Sequence, residues 1–175
     1  MVLVFNKSHY NSGEGMLTSV WGPALWHVLH TISFNYPVKP SAQQKRDYKK
    51  FILSLEKVLP CIYCRDNFSK NCKKAKLCDG VFKNRASFSR FIYNLHCSVN
   101  KGLGKSKCDS FSRVRDRYEH FRARCVKRKI PTKKSRKRKE KGCVNSAHKK
   151  GYKCVLSVVP KKSRKRSFSM YKPRS

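Results

Sequence analysis

The chain has 175 residues, of which 43 are Lys or Arg and 9 are Asp or Glu, for a net charge of +34. So large an excess excludes an acidic binding protein and calls for a polyanionic partner, nucleic acid above all. No run approaches the ~20 apolar residues of a membrane-spanning helix, so no membrane partner is expected.

The charge is unevenly spread. Residues 126–175 carry 20 Lys and Arg against the single acid Glu140, while residues 1–125 hold 23 basic and 8 acidic residues with nearly all the large apolar ones. Three regions follow: a polar, Gly/Ser/Asn-rich flexible arm (1–17), a folded domain (18–125) and a basic tail (126–175). The tail buries too little apolar surface to offset its ordering entropy and is expected to be disordered. Met1–Lys7 has too short an apolar stretch for a secretory signal, which points to a reducing compartment. There, nine cysteines suggest redox catalysis or metal rather than a passive scaffold, and the odd number leaves one thiol unpaired.

The elements, in chain order, read as helices. A first helix is expected from Gly22 to Asn35, with Pro23 in its first turn and Leu25, Trp26, Leu29 and Ser33 at helical spacing, stopped by Tyr36-Pro37. A second follows Ser41, a suitable N-cap, with Tyr48, Phe51, Ile52, Leu55, Val58 and Leu59 as its apolar stripe. Pro60 breaks that stripe just ahead of Cys61 and Cys64, which places this C-x2-C pair at the N-terminus of a third helix, Ile62–Asn71. Helix-dipole charge there lowers a thiol pKa, as a reactive cysteine requires. The same spacing also suits zinc, with Cys72 and Cys78 as further ligands in a C-x2-C-x7-C-x5-C set.

Residues 72–86 look like a basic loop. A fourth helix from Ser87 to Lys101 has Phe88, Phe91, Ile92, Leu95 and Val99 on one face and ends at Gly102 and Gly104. A short fifth helix, Ser110–Arg122, spaces Phe111, Val114, Tyr118 and Phe121 by threes and fours. Strand-like alternation is absent before Cys154–Val159. The whole reads as a small all-α bundle. In the tail, Lys-Lys-Ser-Arg-Lys-Arg occurs at Lys133–Arg138 and again at Lys161–Arg166, as in nuclear-import or phosphate-binding clusters. A merely solubilising tail is the plainer alternative.

Taken together, the run from Trp21 through Trp26 to His30, then Tyr36-Pro37, Cys61-x2-Cys64, Leu95 to Lys105 with His96, Val99, Asn100 and Lys101, and Cys108-x16-Cys125 resembles the Erv/ALR family of FAD-linked sulfhydryl oxidases over residues 21–125. It is particularly similar to the compact forms of large DNA viruses. The resemblance implies a four-helix bundle with a short fifth helix around FAD. It implies a thiol oxidase that passes electrons from Cys61 and Cys64 through FAD to O2, giving H2O2. Cys61 would take the client thiol and Cys64 would lie against the flavin. Trp26, His30 and Tyr36 would contact FAD, His96 and Asn100 would hold its adenine–ribose part, and Lys101 and Lys105 its phosphates. Cys108 and Cys125 would form a structural disulfide.

Two departures from the family pattern bear on FAD contacts. Cys97 stands where the family has Asn, and no Trp lies between Cys108 and Cys125, a role open to Phe111 or Tyr118. Implied partners are thiol-containing client proteins, O2, a twin subunit and, through the tail, nucleic acid. A viral origin would make virion proteins the clients, in the host nucleus or cytoplasm or in the virion. Cys72 and Cys78 could be a second disulfide or free thiols, and Cys143 and Cys154 could form a shuttle pair. The rival readings are a non-enzymatic zinc module and a degenerate oxidase fold serving as a basic packaging protein.

Overall fold

A computed structural model describes residues 6–105, 108–120 and 122–124, with the backbone alone for 123–124, 145–146, 153–156 and 168–171. Its helices are α1 (Lys7–Asn11), α2 (Thr18–Asn35), α3 (Ala42–Val58), α4 (Ile62–Lys74), α5 (Arg85–Gly102) and α6 (Phe111–Glu119). The bundle is all-α, as the periodicity predicts. The four long helices α2–α5 enclose one core, and α6 packs across the outside of α2 and α5.

Local chemistry sets most boundaries. At α3, Ser41 accepts from the Gln44 N–H while the Gln44 side chain accepts from the Ser41 N–H, a reciprocal cap of two otherwise orphaned donors. Asn84 caps α5 through the Ser87 N–H at 2.9 Å. Ser110 caps α6 through the Arg113 N–H. At the far end of α5, Gly104 adopts a left-handed φ of 67°. That turn lets Gly104 donate to the Lys101 carbonyl (3.1 Å) and Lys105 to the Asn100 carbonyl (2.9 Å).

The apolar stripes meet in the core. Leu29, Ile52, Leu55, Phe88, Phe91, Ile92 and Leu95 are buried together, with Phe51 packed against them. Val58, placed in the stripe by spacing, is exposed instead. Beyond the bundle, Ala123–Arg124 pairs antiparallel with Asn145–Ser146, and Lys153–Leu156 with Phe168–Tyr171. The second ladder begins at the alternating segment expected from Cys154. The rest of the tail, with both Lys-Lys-Ser-Arg-Lys-Arg hexamers and the disorder expected of it, lies outside the described residues.

Four expectations change. The arm carries α1 and pairs through Gly15 with Cys61, so part of it is ordered. The first helix starts at Thr18, leaving Pro23 inside it. It starts early because Met16 donates to the Pro60 carbonyl (2.8 Å) and the Trp21 indole donates to the Met16 carbonyl (2.9 Å), which fixes the entry to α2. The third helix runs on to Lys74, and the supposed basic loop contains a 3-10 turn, Asp79–Lys83, that buries Val81 and Phe82. Finally, Tyr36 belongs to the core. It is fully buried, packs on Tyr48 and Phe88, and donates its hydroxyl to the Phe82 carbonyl at 2.8 Å. No described helix is long and apolar enough to cross a membrane.

Candidate functional site

The structure joins Cys61 and Cys64 in a disulfide, with Cα atoms 5.2 Å apart. Pro60 ends the preceding segment, and Cys61 takes an extended conformation as the N-cap of α4. Its sulfur accepts from the Cys64 N–H at 3.1 Å. The α4 N-terminus thus points its partial positive charge at the sulfur pair, which stabilises whichever sulfur becomes a thiolate. The two sulfurs are not equivalent, since Cys64 packs against the hydrophobic core. Arg65 binds the first turn from behind, donating to the Leu59 carbonyl at 2.6 Å.

A second constellation lies on α2, α5 and α6. Trp26 and His96 stack with ring centroids 4.2 Å apart, and His30 Nε2 lies 3.0 Å from His96 Nδ1. Tyr118, on α6, covers His30 at 5.2 Å and meets His27 Nδ1 through its hydroxyl at 3.3 Å. Burial pushes His30 down to about 3, aided by His96, Arg117 and His27. Burial likewise pushes His96 down to about 4, aided by Lys105 and Arg117. Both imidazoles are therefore neutral near pH 7. The Gly104 turn brings Lys105 back toward His96, close enough to act on its charge. Asn100 supports that turn through its carbonyl, and Lys101 is exposed beside it.

His30 Nδ1 is buried and has no hydrogen-bond partner, the one such side-chain atom among the described residues. A buried polar atom without a partner is costly, so the cluster is one polar group short. Of the residues that the resemblance assigns to the cofactor, Trp26, His30 and His96 meet in this cluster, with Asn100, Lys101 and Lys105 in the turn beside it. Tyr36 alone goes elsewhere. His27 and Arg117 were given no role, because their relevance depends on where α6 lies.

The disulfide expected between Cys108 and Cys125 is corrected. Cys108 pairs with Cys97, with Cα atoms 5.7 Å apart, and Cys125 is outside the described residues. The reason lies in α5. Tyr93 and Cys97, four residues apart, share one helix face, and the Tyr93 hydroxyl donates to the Asp109 carbonyl at 2.9 Å. That bond lays Cys108 against Cys97. Cys72 is buried and Cys78 exposed, both as free thiols. The four cysteines of the zinc alternative do not converge, and among the described residues no cluster of three or more His, Cys, Asp or Glu side chains could hold a metal ion.

Comparison with known proteins decides the family. The family model of the Erv1/Alr family matches residues 23–122, more than half the chain. The chain belongs to the Erv1/Alr family. It is 36% identical over 84 residues to the FAD-linked sulfhydryl oxidase ERV1 of Arabidopsis thaliana, covering 48% of this chain and 42% of that one. It is 33% identical over 85 residues to a probable FAD-linked sulfhydryl oxidase, R368, of Acanthamoeba polyphaga mimivirus, covering 49% and 59%. The chain thus spans about half the length of such relatives. Among solved structures, the FAD-binding domain of Erv1 from Saccharomyces cerevisiae superposes with a TM-score of 0.53 at 28% identity, covering 59% of this chain and 94% of that one.

The residues on this Erv1/Alr chain fit a flavin dinucleotide. Flat neutral rings suit its ring systems, the partnerless His30 Nδ1 lacks one polar contact, and the positive charges of Lys105 and Arg117 act on the histidines, a setting that suits a diphosphate. The neutral histidines also carry a stability prediction. Both pKa values lie below the unfolded value of about 6.5, so the unfolded chain binds more protons below that pH. Stability present at pH 7 should fall as pH drops through 6.5 toward 4. Urea denaturation at pH 5.5 should show a loss of roughly 2 kcal/mol relative to pH 7, and Gln in place of both His30 and His96 should flatten the dependence.

Proposed function

We propose that this chain is an FAD-dependent thiol oxidase that forms disulfide bonds in client proteins. The single observation that carries the reading is the Cys61–Cys64 disulfide at the N-terminus of α4, with one sulfur packed against the bundle core and the other at its rim. A client thiolate attacks Cys61, the Cys61–Cys64 bond breaks, and Cys64 leaves as a thiolate beside the positive helix end. The client's second thiolate then attacks the mixed disulfide, releasing an oxidised client and the Cys61/Cys64 dithiol. When bound, FAD supplies the acceptor for the two electrons this dithiol must lose, and passes them to O2 to give H2O2. Trp26, His30 and His96 would seat its rings, Asn100 its ribose, and Lys101 and Lys105 its phosphates.

Were the chain viral, like the mimivirus relative, virion proteins would be its clients, and the repeated hexamers support nuclear delivery or nucleic-acid binding by the tail, in the host nucleus, cytoplasm or virion. Apart from the exposed Val58, the apolar stripes of α3 and α5 are used by the protomer's own core. A homodimer would therefore use exposed side chains such as Val20 and Val28 of α2. The test is optical. Purified protein should carry the visible absorption of bound flavin and lose it on anaerobic addition of a dithiol, whereas colourless protein refutes the reading.

A further inference from the structure

The main-chain groups on either side of Cys61 are already paired. Residues Glu14–Met16 run antiparallel to Pro60–Ile62, with Gly15 opposite Cys61. Met16 donates to the Pro60 carbonyl, and the Ile62 N–H, an orphan of the first turn of α4, donates to the Glu14 carbonyl, both at 2.8 Å. Arg65 adds a bond to the Gly13 carbonyl. Because the neighbours exchange the hydrogen bonds, Gly15 and Cys61 form the close, non-hydrogen-bonded kind of antiparallel pair. Such pairs bring Cα atoms to about 4.5 Å, inside the window of about 4.4–6.8 Å in which two cysteines can be bridged.

Resting on the thiol-oxidase reading, we propose that Pro60–Ile62 is the docking edge for the client, which pairs with it as an extended strand in the register now held by Glu14–Met16. A client cysteine opposite Cys61, with an ordinary extended φ instead of the +127° of Gly15, turns its Cβ away from the Cys61 main chain and lies at bridging distance. The residue before it accepts from Ile62 N–H, and the residue after it donates to the Pro60 carbonyl. The arm is a stand-in that cannot react, since residues 1–60 contain no cysteine. Backbone pairing suits an enzyme acting on many sequences, because it reads main chain rather than side chains. Exposed apolar side chains flank the edge, Met16 at 70%, Ile62 at 48% and Tyr63 at 71% exposure, and would cover the neighbours of a client cysteine.

Gly15 gives the test. Its φ of +127° suits glycine alone, and a Cβ there would lie 2.6 Å from Cys61 Cα and from the Pro60 carbonyl oxygen, so Gly15→Val should lift the strap. In a full-length Cys64→Ser background, the reduced Cys61 thiolate attacks a cysteine peptide activated as its 2-thiopyridyl disulfide. A bond forms between Cys61 and the peptide sulfur, and thiopyridone leaves and is read by absorbance. Adding Gly15→Val should raise the rate for the peptide relative to activated 2-mercaptoethanol roughly tenfold, the worth of one or two main-chain hydrogen bonds. An unchanged or reduced ratio overturns the proposal. Without any change to the arm, N-methylating the peptide residue after its cysteine should slow its reaction, and equal rates overturn the proposal independently. Neither measurement needs FAD or oxygen, so failure here is distinguishable from failure of the oxidase reading.

Discussion

Replacing Cys64 with serine is expected to remove dithiol-dependent oxygen consumption, by at least ~10³-fold, the scale on which a covalent catalytic unit fails when one member is lost. The client thiolate needs a sulfur–sulfur bond to attack and a thiolate to expel, and serine provides neither. The fold has no comparable need of Cys64. In the present structure it is the Cys64 N–H, not its side chain, that donates to Cys61 Sγ, so the cap of α4 survives the change. Cys72→Ser is the informative companion. That thiol is buried in the core, and burial together with Glu56 pushes it up to about 11, so it remains protonated and unreactive. Its replacement should leave turnover in place while Cys64→Ser removes it. An oxygen electrode with a small dithiol separates the two, and substantial turnover by Cys64→Ser would mean that another sulfur pair carries the chemistry.

How far the site was legible before the fold depends on the range over which each feature is decided. Cys61 as the cap of a helix follows from Pro60 just ahead of it, which ends the preceding stripe. The stripe of α3 and the Ser41 cap are equally local, and so is the glycine that returns Lys105 toward His96. Tyr36 shows the opposite case. The family resemblance implies a cofactor contact for it, but its hydroxyl finds a carbonyl 46 residues away in a turn that sequence shows only as a basic loop. The Gly15–Cys61 pair is longer-ranged in the same sense. Nothing local to a Gly/Ser/Asn-rich arm says which strand edge it will meet. Cysteine pairing is harder still, since spacing alone does not determine connectivity.

Cys97→Ser and Cys108→Ser should be the most destabilising of the cysteine changes. The bond to Cys108 closes a loop of eleven residues' separation, which in the chain-entropy model contributes about 3 kcal/mol. The loop it ties down leads into α6, whose Tyr118 covers His30 and whose Val114 and Tyr118 pack with Phe34. The polar ties on this segment are single contacts, among them Tyr93 to Asp109 and Arg122 to the Phe34 carbonyl. Each such bond is worth about 1 kcal/mol net, so none substitutes for the covalent link. Denaturant unfolding of Cys97→Ser and Cys108→Ser should therefore show equal losses of about 3 kcal/mol, and the ring stacking of Tyr118 over His30 should loosen in both. Were Cys108 bonded to Cys125 instead, Cys108→Ser would be destabilised and Cys97→Ser would not. The same inequality would return Cys97 to the role of a lost polar contact, where the family's asparagine stands, and would detach the covering of His30 from the end of α5.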